Sequence, residues 1–375
     1  MAAARPVVQF VSKPIASPFR DGTKCLVRDL VTHYSDLDCR VLGTSAGAPE
    51  LLGRAQVEPI YSDAGTFAPG LTQNLRAAAF LLIRSRADLW HFVFAPNPRS
   101  SQVGRVLRAL RRVPVVQTVA SPPRSFERPE QLLFGDRVVV QSEWTRVRFA
   151  ESLAAAKLSF DVRVVPPPAP RLEMPTLDEV GAVRARLGLD SAAPLFVYPG
   201  DLEVSQGAAR VAQLVAPLCE RMPEARVVFA YRDKSERAEG HARVLRERLP
   251  AEQVRFEKNV PDIHALLAAS TAILFPVEDL YGKVDLPIVL LEALGMGIPV
   301  LAEQDGPLAS LEGAWRSRFD VASWLEQSVR LARDPAARAG AADVGKRAVA
   351  EHYAPERIAA AYQAIYRELL PAAAG

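Results

Sequence analysis

The segment from Phe275 to Leu311 concentrates residues able to do chemistry. Glu292 stands in an otherwise apolar run, with Ile288-Val289-Leu290-Leu291 before it and Ala293-Leu294 after it. A lone carboxylate in such a setting is costly unless something pairs with it. A carboxylate can also accept hydrogen bonds from both hydroxyls of a vicinal diol. The plainer alternative is a solvent-facing helix residue, since Glu is a good helix former. Ahead of it lie Glu278, Lys283 and Asp285. Lys283 is one of seven lysines in a chain whose positive charge is otherwise arginine. It reads either as a phosphate contact or as an exposed loop lysine. Asp285, just before Leu286-Pro287, is placed to cap a helix.

The elements that must hold these residues follow from local pattern. A buried strand Ala272–Phe275, a polar loop, a short helix Leu286–Leu294 and a strand Pro299–Leu301 succeed one another. Pro287 suits a first helical turn, and Gly295 and Gly297 close the helix. The same alternation runs along the chain. In the first half, strands are expected at Val7–Val11, Cys39–Leu42, Leu89–Phe94, Val113–Val119, Arg137–Val140 and Val162–Val165. In the second they are expected at Leu195–Tyr198, Arg226–Tyr231 and Val254–Phe256, before the two named above. Near-continuous apolar strands separated by helices indicate parallel sheets covered on both faces. Pro166-Pro167-Pro168-Ala169-Pro170 interrupts the alternation, because proline fixes φ and removes the amide donor. The expectation is an α/β chain of two Rossmann-like, doubly wound domains, 1–165 and 177–350, joined by a linker at 166–176 and followed by a helical segment, 351–375. Ligands of such folds bind at the carboxyl ends of the parallel strands, here facing a cleft between the domains.

Composition excludes several classes. A length of 375 residues fits two domains of roughly 100–200 residues each. With 49% hydrophobic and 24% charged residues the chain is ordinary globular protein, and a net charge of +3 does not argue for nucleic acid. Cys25, Cys39 and Cys219 form no C-x-x-C pair, which suggests neither a disulfide framework nor a zinc site and fits a reducing compartment. The five histidines are isolated, so no metal site is expected. No apolar run reaches the ~18 residues of a membrane span, and the N-terminus lacks a signal-peptide core. A cytoplasmic protein is expected.

Glu292-Ala293 on a helix, followed by Gly297-Ile298-Pro299-Val300-Leu301, resembles the donor-site segment of the family 4 retaining glycosyltransferases, the glycosyl transferases group 1. Weaker resemblances extend this over nearly the whole chain: Asp88-Leu89-Trp90-His91, Val138-Val139-Val140-Gln141-Ser142-Glu143, Val164-Val165-Pro166-Pro167 and Leu187-Gly188-Leu189. The resemblance is to a divergent member. It implies the GT-B architecture, with the last helix crossing back onto the first domain. It also implies retaining transfer of a sugar, a hexose foremost, from a UDP- or GDP-sugar to a lipid, glycan or small-metabolite acceptor, without metal or cofactor. In that scheme Glu292 holds the donor's ribose.

Several family positions are altered. The family's G-R-x-x-x-x-K-G loop reads Gly200-Asp201-Leu202-Glu203-Val204-Ser205-Gln206-Gly207, so both glycines stay and both cations are lost. Lys283 is the candidate replacement for the diphosphate, with amides around Gly200 and Gly306-Pro307 as uncharged partners. The family's E-x7-E pair has Val284 at its first position; Asp285 or Glu278 can substitute as the acid facing the donor sugar. Where relatives carry a first-domain histidine, this chain has Ala120, leaving Ser121 or His91 as replacements. A single histidine such as His91 is otherwise a satisfied core residue. Asp21-Gly22-Thr23 resembles the first-domain loop near the donor phosphate; Gly22 permits close backbone approach and Thr23 can cap the next helix. The helix Gln102–Arg112 carries Arg105, Arg108, Arg111 and Arg112 and reads either as a solvated surface helix or as a peripheral contact with the inner membrane face. Two rivals remain: a non-catalytic GT-B protein that binds a sugar or partner, and a transferase with an unusual donor.

Overall fold

A computed structural model describes residues 5–17, 19, 21–34, 36–62, 69–190, 193–232 and 237–370. The chain divides into two compact units. The first comprises residues 1–168, Tyr281–Asp285 and 354–375; the second comprises Ala169–Leu280 and Leu286–Tyr353. Each is a Rossmann-like α/β domain built on one parallel sheet.

The first sheet has seven strands: β1 (Val7–Ile15), β2 (Asp38–Thr44), β3 (Ala55–Tyr61), β4 (Leu89–Phe94), β5 (Val115–Val119), β6 (Arg137–Val140) and β7 (Val162–Val164). Their order is β3-β2-β1-β4-β5-β6-β7, and every pairing is parallel. The helices between them are α1 (Gly22–His33), α2 (Leu71–Ile83), α3 (Pro98–Arg111), the short α4 (Pro129–Leu132) and α5 (Glu143–Ala155). Side-chain oxygens start three of these helices by accepting orphan amides: Asp21 for α1, Asn97 for α3 and Ser142 for α5. Asp21, not Thr23, is therefore the cap of α1.

The second sheet has six strands: β8 (Leu195–Tyr198), β9 (Arg226–Tyr231), β10 (Val254–Lys258), β11 (Ala272–Phe275), β12 (Val300–Glu303) and β13 (Trp315–Ser317). Their order, β10-β9-β8-β11-β12-β13, is that of a dinucleotide-binding sheet, again all parallel. Its helices are α6 (Leu177–Arg186), α7 (Gly207–Arg221), α8 (Arg237–Arg248), α9 (Ile263–Ala268), α10 (Ile288–Met296), α11 (Val321–Arg333) and α12 (Pro335–His352). α6 opens with a full capping box between Thr176 and Glu179. The central strands β8 and β11 are wholly buried, as their apolar sequences require.

A last helix, α13 (Pro355–Leu369), belongs to the first unit and contributes Ile358, Ala359, Tyr362, Ile365 and Tyr366 to its core. Two strands were not legible in the sequence. β3 is a half-exposed edge strand carrying Pro59, and β13 is a three-residue edge strand. Edge strands tolerate proline and lack the continuous apolar run of a central strand. The helix expected at Leu286–Leu294 begins instead at Ile288. Its N-cap is Pro287, and Asp285 does not cap it.

Candidate functional site

In the second unit, β8 and β11 pair at the point where strand order reverses. Three loops leave the carboxyl ends of the strands there: Pro199–Gln206 after β8, Pro276–Leu280 after β11, and Gln304–Asp305 after β12. This is the crevice in which open α/β sheets bind ligands.

The loop after β8 is organised by Asp201. Its Oδ1 accepts from the amides of Glu203 (3.2 Å), Val204 (2.7 Å) and Ser205 (3.0 Å). A buried carboxylate thus occupies amides that would otherwise be available to an anion. Tyr198, at the end of β8, donates its hydroxyl to the Asp201 carbonyl at 2.9 Å and lies under the loop. A Cβ on Gly200 would stand 2.3 Å from Tyr198 Cζ, and one on Gly207 would stand 2.6 Å from Tyr198 Oη and 2.4 Å from Val277 Cγ2. Both glycines are therefore demanded by the packing of the tyrosine, whatever else they do.

Arg210, in the first turn of α7, reaches across this edge. It donates to Glu303 Oε2 at 2.9 Å, to Glu278 Oε2 at 3.2 Å and to the Pro276 carbonyl at 3.3 Å. Glu303 ends β12 and also accepts from the amides of Gln304 (3.0 Å) and Phe319 (3.1 Å). Glu278 is exposed and lies at this crevice. Gly306 has φ +75°, and a Cβ there would sit 2.4 Å from the Glu278 carbonyl, so the Gly306-Pro307 turn lies directly against the exit of β11. The structure thus gathers Gly200, Gly207, Glu278, Gly306 and Pro307 along one edge of the second sheet.

Glu292 lies on α10 and is mostly buried. It has a partner that the sequence did not reveal: His264 on α9, with Nε2 3.4 Å from Glu292 Oε1. The carboxylate raises the His264 pKa by hydrogen bonding, against burial that lowers it. Among the described residues no side chain caps the start of α10, so its first amides retain the positive end of the helix dipole.

The remaining candidates belong to the first unit. Lys283 is half-buried in the Tyr281–Asp285 segment, where Tyr281 stacks under the Arg124 guanidinium at 4.6 Å. Asp285 has no exposed surface. Its Oδ2 accepts from Ser142 Oγ at 2.6 Å. Burial pushes its pKa up to about 6, against the hydroxyls of Ser142 and Thr145, which lower it. Ser142 simultaneously caps α5 through the Thr145 amide at 3.1 Å. Beside it, Gln141 is buried, and neither of its amide atoms has a hydrogen-bond partner among the described residues. Gly22 opens α1, where an added Cβ would meet Val284 Cγ1 at 3.0 Å. Thr23 and Ser121 are buried at the carboxyl edge of the first sheet.

His91 is corrected by the structure. It is fully buried in β4, with Nε2 2.7 Å from Thr118 Oγ1 and Nδ1 2.7 Å from the Tyr366 hydroxyl. Burial depresses its pKa to about 3, so the ring is neutral. It joins β4, β5 and α13 inside the core and leaves no surface for a substrate. On the basic helix α3 the arginines have different partners. Arg105 donates to the Glu130 carbonyl, and Arg108 to Asp136 and, at 3.2 Å, to the Phe134 carbonyl. Those two guanidinium groups fold down onto their own domain; Arg112 is exposed at the helix end.

Among the described residues no group of three or more His, Cys, Asp or Glu is arranged to hold a metal ion. Arg210, Glu303, His264, Tyr198 and Ser142 were missed in the sequence. The available signals were a cation one turn into the helix after the glycine loop, and an acid ending an apolar strand.

Comparison with known proteins bears on this arrangement. Residues 181–324 match the family model described as Glycosyl transferases group 1, which spans the second-unit crevice and Glu292. No curated protein matches the chain. Among solved structures, HepE of Anabaena in complex with UDP-glucose aligns with a TM-score of 0.72 at 16% identity, covering 97% of this chain and 100% of its own. Sucrose-phosphate synthase of Thermosynechococcus elongatus aligns with a TM-score of 0.72 at 18% identity, covering 98% and 99%. WaaG, a glycosyltransferase involved in lipopolysaccharide biosynthesis, aligns with a TM-score of 0.63 at 15% identity, covering 94% and 98%. Two parallel-sheet Rossmann-like domains of seven and six strands are thus an architecture this chain shares with GT-B glycosyltransferase structures.

Proposed function

We propose that the protein is a retaining glycosyltransferase that moves a sugar from a nucleotide-diphosphate donor to a lipid, glycan or small-molecule acceptor. The observation that carries this reading is the coincidence of the group 1 match with a built crevice, where the glycine loop, the Gly306-Pro307 turn and Glu278 share one sheet edge. Relatives of the same fold were solved with UDP-glucose or UDP, which makes a UDP-sugar the first donor to test.

In this reading Glu292 accepts hydrogen bonds from the ribose diol, and His264 holds the carboxylate in place until the nucleotide arrives. The uncapped start of α10 receives a phosphate through its amides and dipole. Lys283 adds the charge that Asp201 and Gln206 do not supply. Negative charge grows on the leaving diphosphate as the glycosidic bond breaks, so groups placed there lower the barrier. Glu278 is the acid available at the crevice for the donor sugar's hydroxyls.

One observation favours a second reading, a sugar- or partner-binding protein without catalysis. Asp201 fills the amides of the glycine loop with its own carboxylate, where relatives with the full motif present cations. Calorimetric titration with UDP and GDP, followed by a donor-hydrolysis assay, separates the two. Binding with hydrolysis or transfer supports the enzyme. Binding without turnover of any donor supports the second reading, and absence of nucleotide binding rejects the first. Lys283→Met should weaken UDP much more than uridine; equal loss for both places the diphosphate elsewhere.

A further inference from the structure

We propose that the outer surface formed by α2 and α3 of the first domain docks on a lipid bilayer that carries anionic headgroups. The inner faces of both helices are spent on the core: Ala77, Phe80 and Leu81 from α2, and Ser101, Gly104 and Leu107 from α3. What remains outside mixes exposed aliphatic side chains with arginines and small polar residues. On α2, Leu71, Leu75 and Leu82 recur on one face, with Ala78 between them. Leu71 is 77% exposed and Leu75 61%, and Ile83 next to the stripe is 67% exposed. On α3, Val103, Val106 and Leu110 form a second stripe, 48%, 52% and 63% exposed. A water-soluble helix ordinarily turns charged and polar side chains outward. Here the outward faces of two neighbouring helices carry aliphatic stripes beside their exposed arginines.

The helices are held side by side. Arg111, in the last turn of α3, donates to the Leu82 carbonyl at 2.6 Å and the Ser85 carbonyl at 3.0 Å, at the end of α2. The two helices therefore adjoin, and exposed aliphatic side chains gathered on neighbouring helices are of the kind that marks an interaction site.

Charge selects the occupant. From Gly70 to Arg112 the sequence has eight arginines and a single acid, Asp88, whose carboxylate is engaged by the Val7 amide at 2.8 Å. Arg76, Arg84, Arg86, Arg99 and Arg112 are exposed around the stripes. Protruding aliphatic side chains ringed by arginine suit the boundary between headgroups and acyl chains of an anionic membrane. A protein interface would be expected to centre on aromatic anchors, and neither stripe has one. No helix of the described residues is long and apolar enough to cross a membrane, so the contact would be peripheral. This inference stands on α2 and α3 alone and does not depend on the proposed transfer reaction.

The test is co-sedimentation of the full-length chain with vesicles of phosphatidylcholine alone and with phosphatidylglycerol added. The wild type should bind the anionic vesicles, weakly or not at all the neutral ones, and lose affinity as salt rises. Leu75→Glu with Val106→Glu should abolish binding. Arg84→Gln with Arg86→Gln should weaken it about fivefold per arginine. All four side chains are exposed, so circular dichroism and thermal melting should be unchanged, and the loss would report the surface itself. Failure of the wild type to bind anionic vesicles at low salt overturns the proposal, as does binding that survives Leu75→Glu with Val106→Glu. Concentration-dependent dimerisation abolished by those two substitutions, without vesicle binding, would assign the surface to a second copy of the chain and equally overturn it.

Discussion

Arg210 and Glu303 form an ion pair at the carboxyl edge of the second sheet, Nη1 to Oε2 at 2.9 Å, with the Glu303 side chain only 1% exposed. The pair ties α7, which follows the glycine loop, to the end of β12, from which the Gly306-Pro307 turn departs. Arg210 also binds the Pro276 carbonyl and Glu278, so one guanidinium fixes the exits of three elements around the crevice. This is positioning by charge, and its cost structure is asymmetric. Burying both partners is expensive, and removing one leaves the other uncompensated.

Arg210→Met should therefore destabilise the protein by about 3–5 kcal/mol, because Glu303 keeps only its two backbone donors. Glu303→Gln should cost less, and Arg210→Met with Glu303→Gln should recover part of the loss. Urea midpoints of the three variants check this. Equal costs for Arg210→Met with and without Glu303→Gln would show that the pair is not coupled.

The glycines at 200 and 207 look like a phosphate loop, but Tyr198 fills the space beside them. Gly200→Ala should destabilise by about 1–3 kcal/mol through overpacking. Combined with Tyr198→Leu, the second substitution should cost less than it does alone, giving a coupling of ~0.5–3 kcal/mol in a double-mutant cycle. Additive effects would remove the tyrosine as the reason for glycine and return the position to ligand approach.

These contacts mark the limit of what the sequence disclosed. The central strands β8 and β11 were legible because burial on both faces leaves an unbroken apolar run. The edge strands β3 and β13 were not, since an edge has no such constraint. At the site, Glu292 stood out by its apolar neighbours, yet its partner His264 comes from another helix, and no local pattern reports a contact between α9 and α10. Asp285 was read as a cap from its place before Pro287. In the fold it belongs with the first domain and takes a proton donor from Ser142, more than a hundred residues earlier in the chain. His91 fitted a family motif, but only tertiary packing decides whether a histidine at a strand faces a ligand or a tyrosine.

Asp285 makes stability depend on pH in a defined direction. Its folded pKa is raised to about 6, above the unfolded value of ~3.9. The unfolded chain loses this proton first as pH rises, so the contribution is complete below the unfolded pKa and is lost progressively up to about pH 6. Asp285→Asn mimics the protonated form and should remove that loss. Near pH 4 the variant and wild type should melt alike, whereas at about pH 8 the variant should be more stable, by at most about 3 kcal/mol. A difference that does not change with pH would mean that Asp285 ionises normally in the folded protein.

Glu292 and His264 give the sharpest test of the nucleotide site. The proposed ribose contact uses the carboxylate, and the histidine already draws on the same group. Glu292→Gln preserves shape and the capacity to accept one hydrogen bond but removes the charge. Binding of UDP or GDP should weaken by about 1–3 kcal/mol, the scale of a charged hydrogen bond. The raised His264 pKa should fall in the same variant, because the hydrogen bond that raises it is lost. Titration of the His264 ring by NMR reads the second effect independently of any ligand. If the ring shifts while nucleotide affinity is unchanged, Glu292 is the partner of His264 and nothing more. If both change, the carboxylate serves the histidine in the free protein and the ribose in the complex, which is the exchange the proposed donor site requires.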